Sequence, residues 1–378
     1  MLRESPSPPP KGALSALRAA GWALMDAELL NLQEQVRAAV ANGRPIRLRG
    51  SGSKDFYGQT LAGDVVDTRG YAGVVAYEPT ELVVTARCGT RLAEIEALLA
   101  ERGQMLAFEP PHFGPDATIG GCVAAGLSGP RRPAVGSVRD FVLGVKLIDG
   151  NSEVMTFGGQ VMKNVAGYDV SRLVCGALGT LGLIAEVSLK VLPRPFEEST
   201  LLFQMDQAQA LEKLNAWGGQ PLPISASAYY DGDLGLRLSG AAAAVRAARE
   251  RLGGELIDPQ LAQEFWQGMR EQTDPLFVGD EPLWRLSVPS IAGPLDLPGR
   301  LLVEWGGALR WLKSTVPAQQ VRQAAVQAGG HATLFRAADK AAPVFQPLPA
   351  TLQAIHRRLK RAFDPHGVFN PDRMYEGL

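Results

Sequence analysis

Apolar positions recur at helical spacing from Asp26 to Asn42, where Leu29, Leu32, Val36 and Val40 share one face and Asn42-Gly43 supplies a stop. An amphipathic helix is expected there. "RPIRLRGSGS" follows as a short strand entering a turn of small residues, and "DVVDTRGYAGVVAYEPTELVVTARCGT" alternates like paired strands turning at Glu78-Pro79. "RLAEIEALLAERG" returns to helical period, with Thr90 as expected N-cap and Gly103 as stop. Residues 108–145, rich in Gly and Pro, read as a long connection that closes on the strand "FVLGVKLIDG", with "GNSEVMTFG" as its hairpin partner. A short helix at "VSRLVCGALG" and a strand "LGLIAEVSLKVLPRP" complete this part, and Pro193-Arg194-Pro195 ends it.

Beyond Pro195 the pattern is strand, helix, strand, helix, in a small sheet with helices on one face. The last stretch, "LPATLQAIHRRLKRAFDPHGVFNPDRMYEGL", reads as a basic helix stopped at Asp364-Pro365 and an irregular tail. The expected class is α+β, with 1–25 poorly ordered, a first domain over 26–195, a smaller one over 196–340, and 341–378 returning to the first.

Length supports two hydrophobic centres, since 378 residues exceed what one core usually holds. Charge narrows the partners: 38 basic residues against 39 acidic ones provide no broad positive field for nucleic acid or an anionic membrane. No stretch reads as a signal peptide or as a bilayer span, and with three cysteines that form no disulfide framework the reducing cytoplasm is the expected compartment. The cysteines, Cys88, Cys122 and Cys175, are far apart in apolar or glycine-rich runs, which reads as core packing and not as a disulfide or metal site.

Three runs of small residues point to a ligand. Gly50-Ser51-Gly52-Ser53, Thr118-Ile119-Gly120-Gly121 with Ala124–Gly129, and Gly176–Gly182 let backbone approach backbone or an extended ligand, and the first suits an anion nest. None matches a Walker A or a Rossmann loop.

"RLRGSGSK", "PDATIGGCVAAGLSG", "GSVRDFVLGVKLIDG", "KNVAGYDVSRLVCGALGTLGLI" and "LKRAFDPHGVFNPDRM" together resemble the vanillyl-alcohol-oxidase/PCMH-type flavoprotein family, in its order, and within it the FAD-binding subunits of the glycolate oxidase branch. The resemblance implies a PCMH-type FAD-binding domain of two α/β subdomains with a reduced α+β cap. It implies FAD contacts from Arg49, Gly50, Ser51, Gly52, Ser53 and Lys54 at the pyrophosphate. Further contacts are implied from Pro111, Thr118, Gly120, Gly121, Ala125, Ser128, Val142, Gly182 and Ile184, and from Asn370 near the flavin edge. Relatives that tether flavin covalently use a histidine in the first loop or a cysteine in the second. This first loop has no histidine, and Cys122 is read as packing, so noncovalent FAD is implied.

The paired histidines of direct 2-hydroxy-acid oxidisers are missing, and Leu178 stands where relatives often carry glutamate. The resemblance therefore implies a subunit of a glycolate-oxidising complex that relays electrons or supports a larger, homologous flavin subunit, with an iron–sulfur subunit as the next acceptor and membrane association through the complex. The alternatives are a self-sufficient 2-hydroxy-acid dehydrogenase, with His112 or His331 as base, and a non-catalytic assembly subunit. His112 reads either as a partner of flavin or substrate, or as a loop histidine satisfied by backbone. Lys163 and Tyr168 read either as flavin-neutralising groups or as pins of the sheet.

Overall fold

The structure is a computed structural model that describes residues 11–159 and 167–378, with side chains from residue 27. The first helix spans Lys11–Asn42, so it begins inside the stretch expected to be poorly ordered. A five-stranded antiparallel sheet has the order Val74–Glu78, Val83–Arg87, Leu183–Lys190, Val142–Ile148, Val154–Gly158. The strand Leu183–Lys190 thus lies between two hairpins that precede it in sequence.

Both faces of this sheet are covered, and one irregularity divides them. Opposite Lys146 and Leu147 the register slips past Ala185, which switches the side-chain phase. Leu183 and Ala185 then pack with Leu32 and Val36 of the first helix, while Val187 and Leu189 join Leu92, Ile95, Ile119 and Cys122 on the other face.

The stretch 108–145 differs from expectation. It contains three short helices, Ile119–Ala125, Arg132–Val135 and Val138–Phe141. The first forms from "IGGCVAA" in spite of two glycines, because Thr118 caps its start by accepting from Gly121 N–H and Gly126 closes it at φ +67°. Gly120 packs onto Cys88 so closely that a β-carbon would stand 2.6 Å from the Cys88 one. Close approach outweighs helix propensity here. At the helix Leu92–Ala100 the N-cap position is Arg91, not Thr90; the Thr90 hydroxyl bonds Arg87 O and Gly73 instead.

The second sheet has eight strands, larger than expected, in the order Glu255–Leu256, Glu197–Gln204, Asp233–Gly240, Ile224–Tyr230, Arg300–Glu304, Leu309–Lys313, Leu283–Ser287, His331–Arg336. Asp231-Gly232 turns its central hairpin with positive φ at both residues, the geometry a two-residue hairpin requires. Helices Gln207–Gly218, Ala242–Leu252 and Ala318–Gln327 cover its outer face. Its inner face carries Ala226, Ala228, Leu302, Leu309, Trp311 and Phe335, which pack with Tyr57, Ala125 and Leu127 of the small-residue loops. The loops are therefore sandwiched between the two sheets.

The tail joins the first sheet's side. Strand Ile46–Arg49 pairs in parallel with Asp64–Asp67 and bridges to Phe369. The helix Ala350–Phe363 ends at Asp364 as expected. Buried Lys360 donates to Asp364 Oδ2, Thr180 O and Phe369 O, and the Asp364 carboxylate accepts from Val368 and Phe369 N–H. One buried ion pair thus ties "FDPHGVFNP" to the third small-residue run.

Candidate functional site

The glycine-serine loop leaves strand Ile46–Arg49 and runs directly over the start of helix Ile119–Ala125: a β-carbon on Gly50 would stand 2.3 Å from Thr118 Oγ1. Gly52 holds φ +78°, which favours glycine. Among the described residues no acceptor engages the N–H groups of Gly50, Ser51, Gly52 or Lys54, whereas Asp55 and Tyr57 N–H close turns onto Gly52 and Lys54 carbonyls. Four unanswered donors on one half-buried loop, with the Lys54 ammonium on the same loop, form a cradle for a phosphate-type anion. Arg49 is engaged with Asp55 at 2.9 Å.

Cations fix the loop from behind. Arg373 donates to the carbonyls of Asp55, Tyr57 and Gln59, and Lys340 to those of Phe56 and Gly58. Burial lowers the Arg373 guanidinium to about 10. The Lys54 ammonium lies 3.2 Å from His112 O and over the Phe113 ring, and burial lowers its pKa against the opposing pull of Cys122 and Glu271.

The other expected contacts divide by role. Pro111 and Ser128 border a small cavity between the loops and the second sheet, and Ser128 Oγ accepts from Val138 N–H. Ala125 packs with the inner face of that sheet. Val142 and Ile184 point into the first sheet's core. Gly182, at φ +143°, sits where a β-carbon would meet Ile148 O at 2.7 Å. Asn370 has both ends of its amide engaged, its Oδ1 accepting from Leu48 N–H at 2.8 Å and its Nδ2 donating to Leu178 O at 2.6 Å. It ties the first loop's strand to the third run.

The His112 imidazole is directed at Glu96, Nε2 lying 3.2 Å from the carboxylate without hydrogen-bond alignment. Its backbone N–H, with that of Phe113, donates to Glu271. His331 opens an edge strand and is exposed. Lys163 lies outside the described residues, and Tyr168 is 95% exposed.

Sequence reading missed the groups of the second sheet that face these loops. Glu109 pairs with Arg131 and Arg237; burial acts to raise its pKa, but the two guanidinium groups outweigh it and hold the carboxyl low. Glu304, 4% exposed, accepts from the Trp311 indole N–H at 2.6 Å, and burial raises its carboxyl to about 7. Burial pushes the Tyr57 phenol up, and the positive charge of Arg285 opposes that rise. The apolar-polar alternation of "LLVEWGG" and "LWRLS" was the available signal for these strands.

A sequence model described as an FAD binding domain matches residues 28–158. Glycolate oxidase subunit GlcE of Escherichia coli (strain K12) is 52% identical over 347 residues, which span 92% of this chain and 97% of that protein. The chain belongs to the family of that subunit. FAD is the cofactor of its matched domain, and the small-residue loops fit it: the four free N–H donors lie in the segment matched to that domain. Glycolate oxidase subunit GlcD of Bacillus subtilis (strain 168) is 32% identical over 160 residues, 42% of this chain and 34% of that protein. Among solved structures, one of alkyldihydroxyacetonephosphate synthase superposes with a TM-score of 0.61 at 15% identity, covering 90% of this chain and 74% of that one, a likeness of fold. Among the described residues no helix is long and apolar enough to cross a membrane, and no His/Cys/Asp/Glu cluster could hold a metal ion.

Proposed function

We propose that this chain is the noncovalent FAD-binding subunit of a multi-subunit glycolate oxidase, in which glycolate is oxidised to glyoxylate. The carrying observation is its likeness to a glycolate oxidase subunit along nearly the full length of both chains. The unanswered donors of Gly50, Ser51, Gly52 and Lys54 support a pyrophosphate seat there, and the absence of histidine from that loop supports a noncovalent link.

Bound FAD supplies an acceptor of two electrons that can be passed on singly. The chain's own residues hold and orient: Arg373 and Lys340 fix the loop by its carbonyls, and Asn370 couples it to the third run. The reading assigns electron relay or support to this chain. A larger homologous flavin subunit and an iron–sulfur subunit are its partners, in a cytoplasmic complex associated with the membrane through those partners. It divides the chain into an FAD domain over 26–195, a cap over 196–340 and a returning segment over 341–378. The sheets, which fall on either side of Phe196, support that division.

Purifying the complex with and without this chain tests the reading. Glycolate-dependent dye reduction is expected to disappear when the chain is omitted, while the remaining flavin subunit stays folded. Full activity without the chain overturns it.

A further inference from the structure

Helix Pro259–Glu271 lies on the inner face of the second sheet, toward its Glu255–Leu256 edge, and covers that part of the face incompletely. Its buried side chains are Ala262, Trp266 and Met269, and the Trp266 indole donates to Thr200 Oγ1 at 2.9 Å. Beside them an apolar groove of about 320 Å³ separates helix from sheet, walled by Leu202 and Gly235 on the strands and by Leu261 and Phe265 on the helix. Leu261 and Phe265, one turn apart on one helix face, are 60% and 37% exposed. A small molecule confined to the groove would leave the outer part of Leu261 in water, whereas a polypeptide lying along the helix covers it.

Charge selects the occupant. The carboxylates of Asp233 and Asp274 border the groove, and no Lys or Arg does. Among the described residues neither carboxylate forms an ion pair, and the exposed Asp231, two residues before Asp233 in the hairpin turn, forms none either. Burial raises the Tyr229 phenol, and Asp206, Asp231 and Asp233 add to that rise, so their charges gather at this end of the sheet. An apolar groove with uncompensated carboxylates on its rim is complementary to an apolar segment flanked by cations.

We propose that this groove is the docking site of a partner subunit, which inserts apolar side chains between helix Pro259–Glu271 and the sheet and meets the rim carboxylates with flanking Lys or Arg. The proposal rests on the reading of the chain as one subunit of a complex and adds where on its surface the complex assembles. Leu202 and Gly235 stand on the second and third strands from the Glu255–Leu256 edge, whereas Trp311 and Phe335, which pack with Tyr57, stand on the sixth and eighth. Changes in the groove therefore leave the FAD seat intact.

The test mixes the purified chain with the separately purified partner subunits of the complex and follows association by size exclusion and calorimetry at about 0.05 and 0.5 M NaCl. The wild type is expected to associate, about tenfold or more weaker at the higher salt. Leu261→Asp is expected to weaken association about thirtyfold or more, as loss of an interface anchor does. Asp233→Lys is expected to weaken it mainly at the lower salt and so to lose the salt dependence. Flavin content and melting temperature, expected unchanged in both variants, show that each is folded. Wild-type association by either variant, or association indifferent to salt, overturns the proposal. Self-association of the chain that Leu261→Asp abolishes also overturns it, because the occupant is then a second copy. A wild type that associates with no partner subunit refutes the reading of the chain as a subunit along with the groove; association that Leu261→Asp leaves unchanged refutes the groove alone.

Discussion

Gly50 and Thr118 approach so closely that a β-carbon on the first would stand 2.3 Å from the hydroxyl of the second. That hydroxyl also caps helix Ile119–Ala125 through Gly121 N–H, so the glycine-serine loop and the helix behind it share one contact. Gly50→Ala must displace one or the other. Overpacking of this kind costs about 1–3 kcal/mol. The expected outcome is a folded protein whose flavin-to-protein absorbance ratio falls below about half that of the wild type, and an unchanged ratio argues against the loop as the pyrophosphate seat.

Lys360 and Asp364 are 2.8 Å apart, and the Asp364 side chain is fully buried. Removing one partner leaves the other charge uncompensated, and Asp364→Ala should lose about 3–5 kcal/mol. Urea unfolding at pH 7 measures this. Replacing both residues by apolar ones is expected to lose less than the single change, because no buried charge is then stranded.

Glu304 makes stability depend on pH in a defined window. Its carboxyl is raised in the folded state from 4.5 to about 7, so its favourable neutral form is fully present below pH 4.5 and lost as pH rises through 7. Relative to Glu304→Gln, the wild type should lose about 3 kcal/mol between pH 4.5 and 8, from a shift of about 2.5 units at about 1.4 kcal/mol each. Denaturant midpoints of both proteins across that range check the sign and size.

All three cysteines are unpaired and buried, and burial raises each thiol to about 12. A thiol reagent at pH 8 should label none of them within minutes in the folded protein and all three after unfolding. Rapid labelling of Cys122 in the native state would show that its loop opens.

Much of the first sheet was legible because its signals are local. The hairpin at Glu78-Pro79, the partner strands around Gly150-Asn151 and the basic helix stopped before Pro365 each announce themselves within a dozen residues. Helix Ile119–Ala125 was not legible, because a run with two glycines forms a helix only where Cys88 and Thr118 press against it. The cap residues at the site were hidden for a different reason. Arg285 and Glu304 acquire meaning only when three antiparallel strands bring them beside Trp311 and Ser128. Asn370 was singled out through family likeness, and its place in the structure is explained by two hydrogen bonds across more than 190 residues of sequence.

One spectrum of the purified chain tests the noncovalent FAD seat most directly. The chain is purified, its visible absorption is recorded, and the protein is then precipitated by acid and the supernatant examined for FAD. Flavin bands in the native sample, with all of the FAD released to the supernatant, are the expected result. A colourless protein that takes up no added FAD, or flavin that stays with the precipitate, contradicts a noncovalent FAD seat on the Gly50–Lys54 loop.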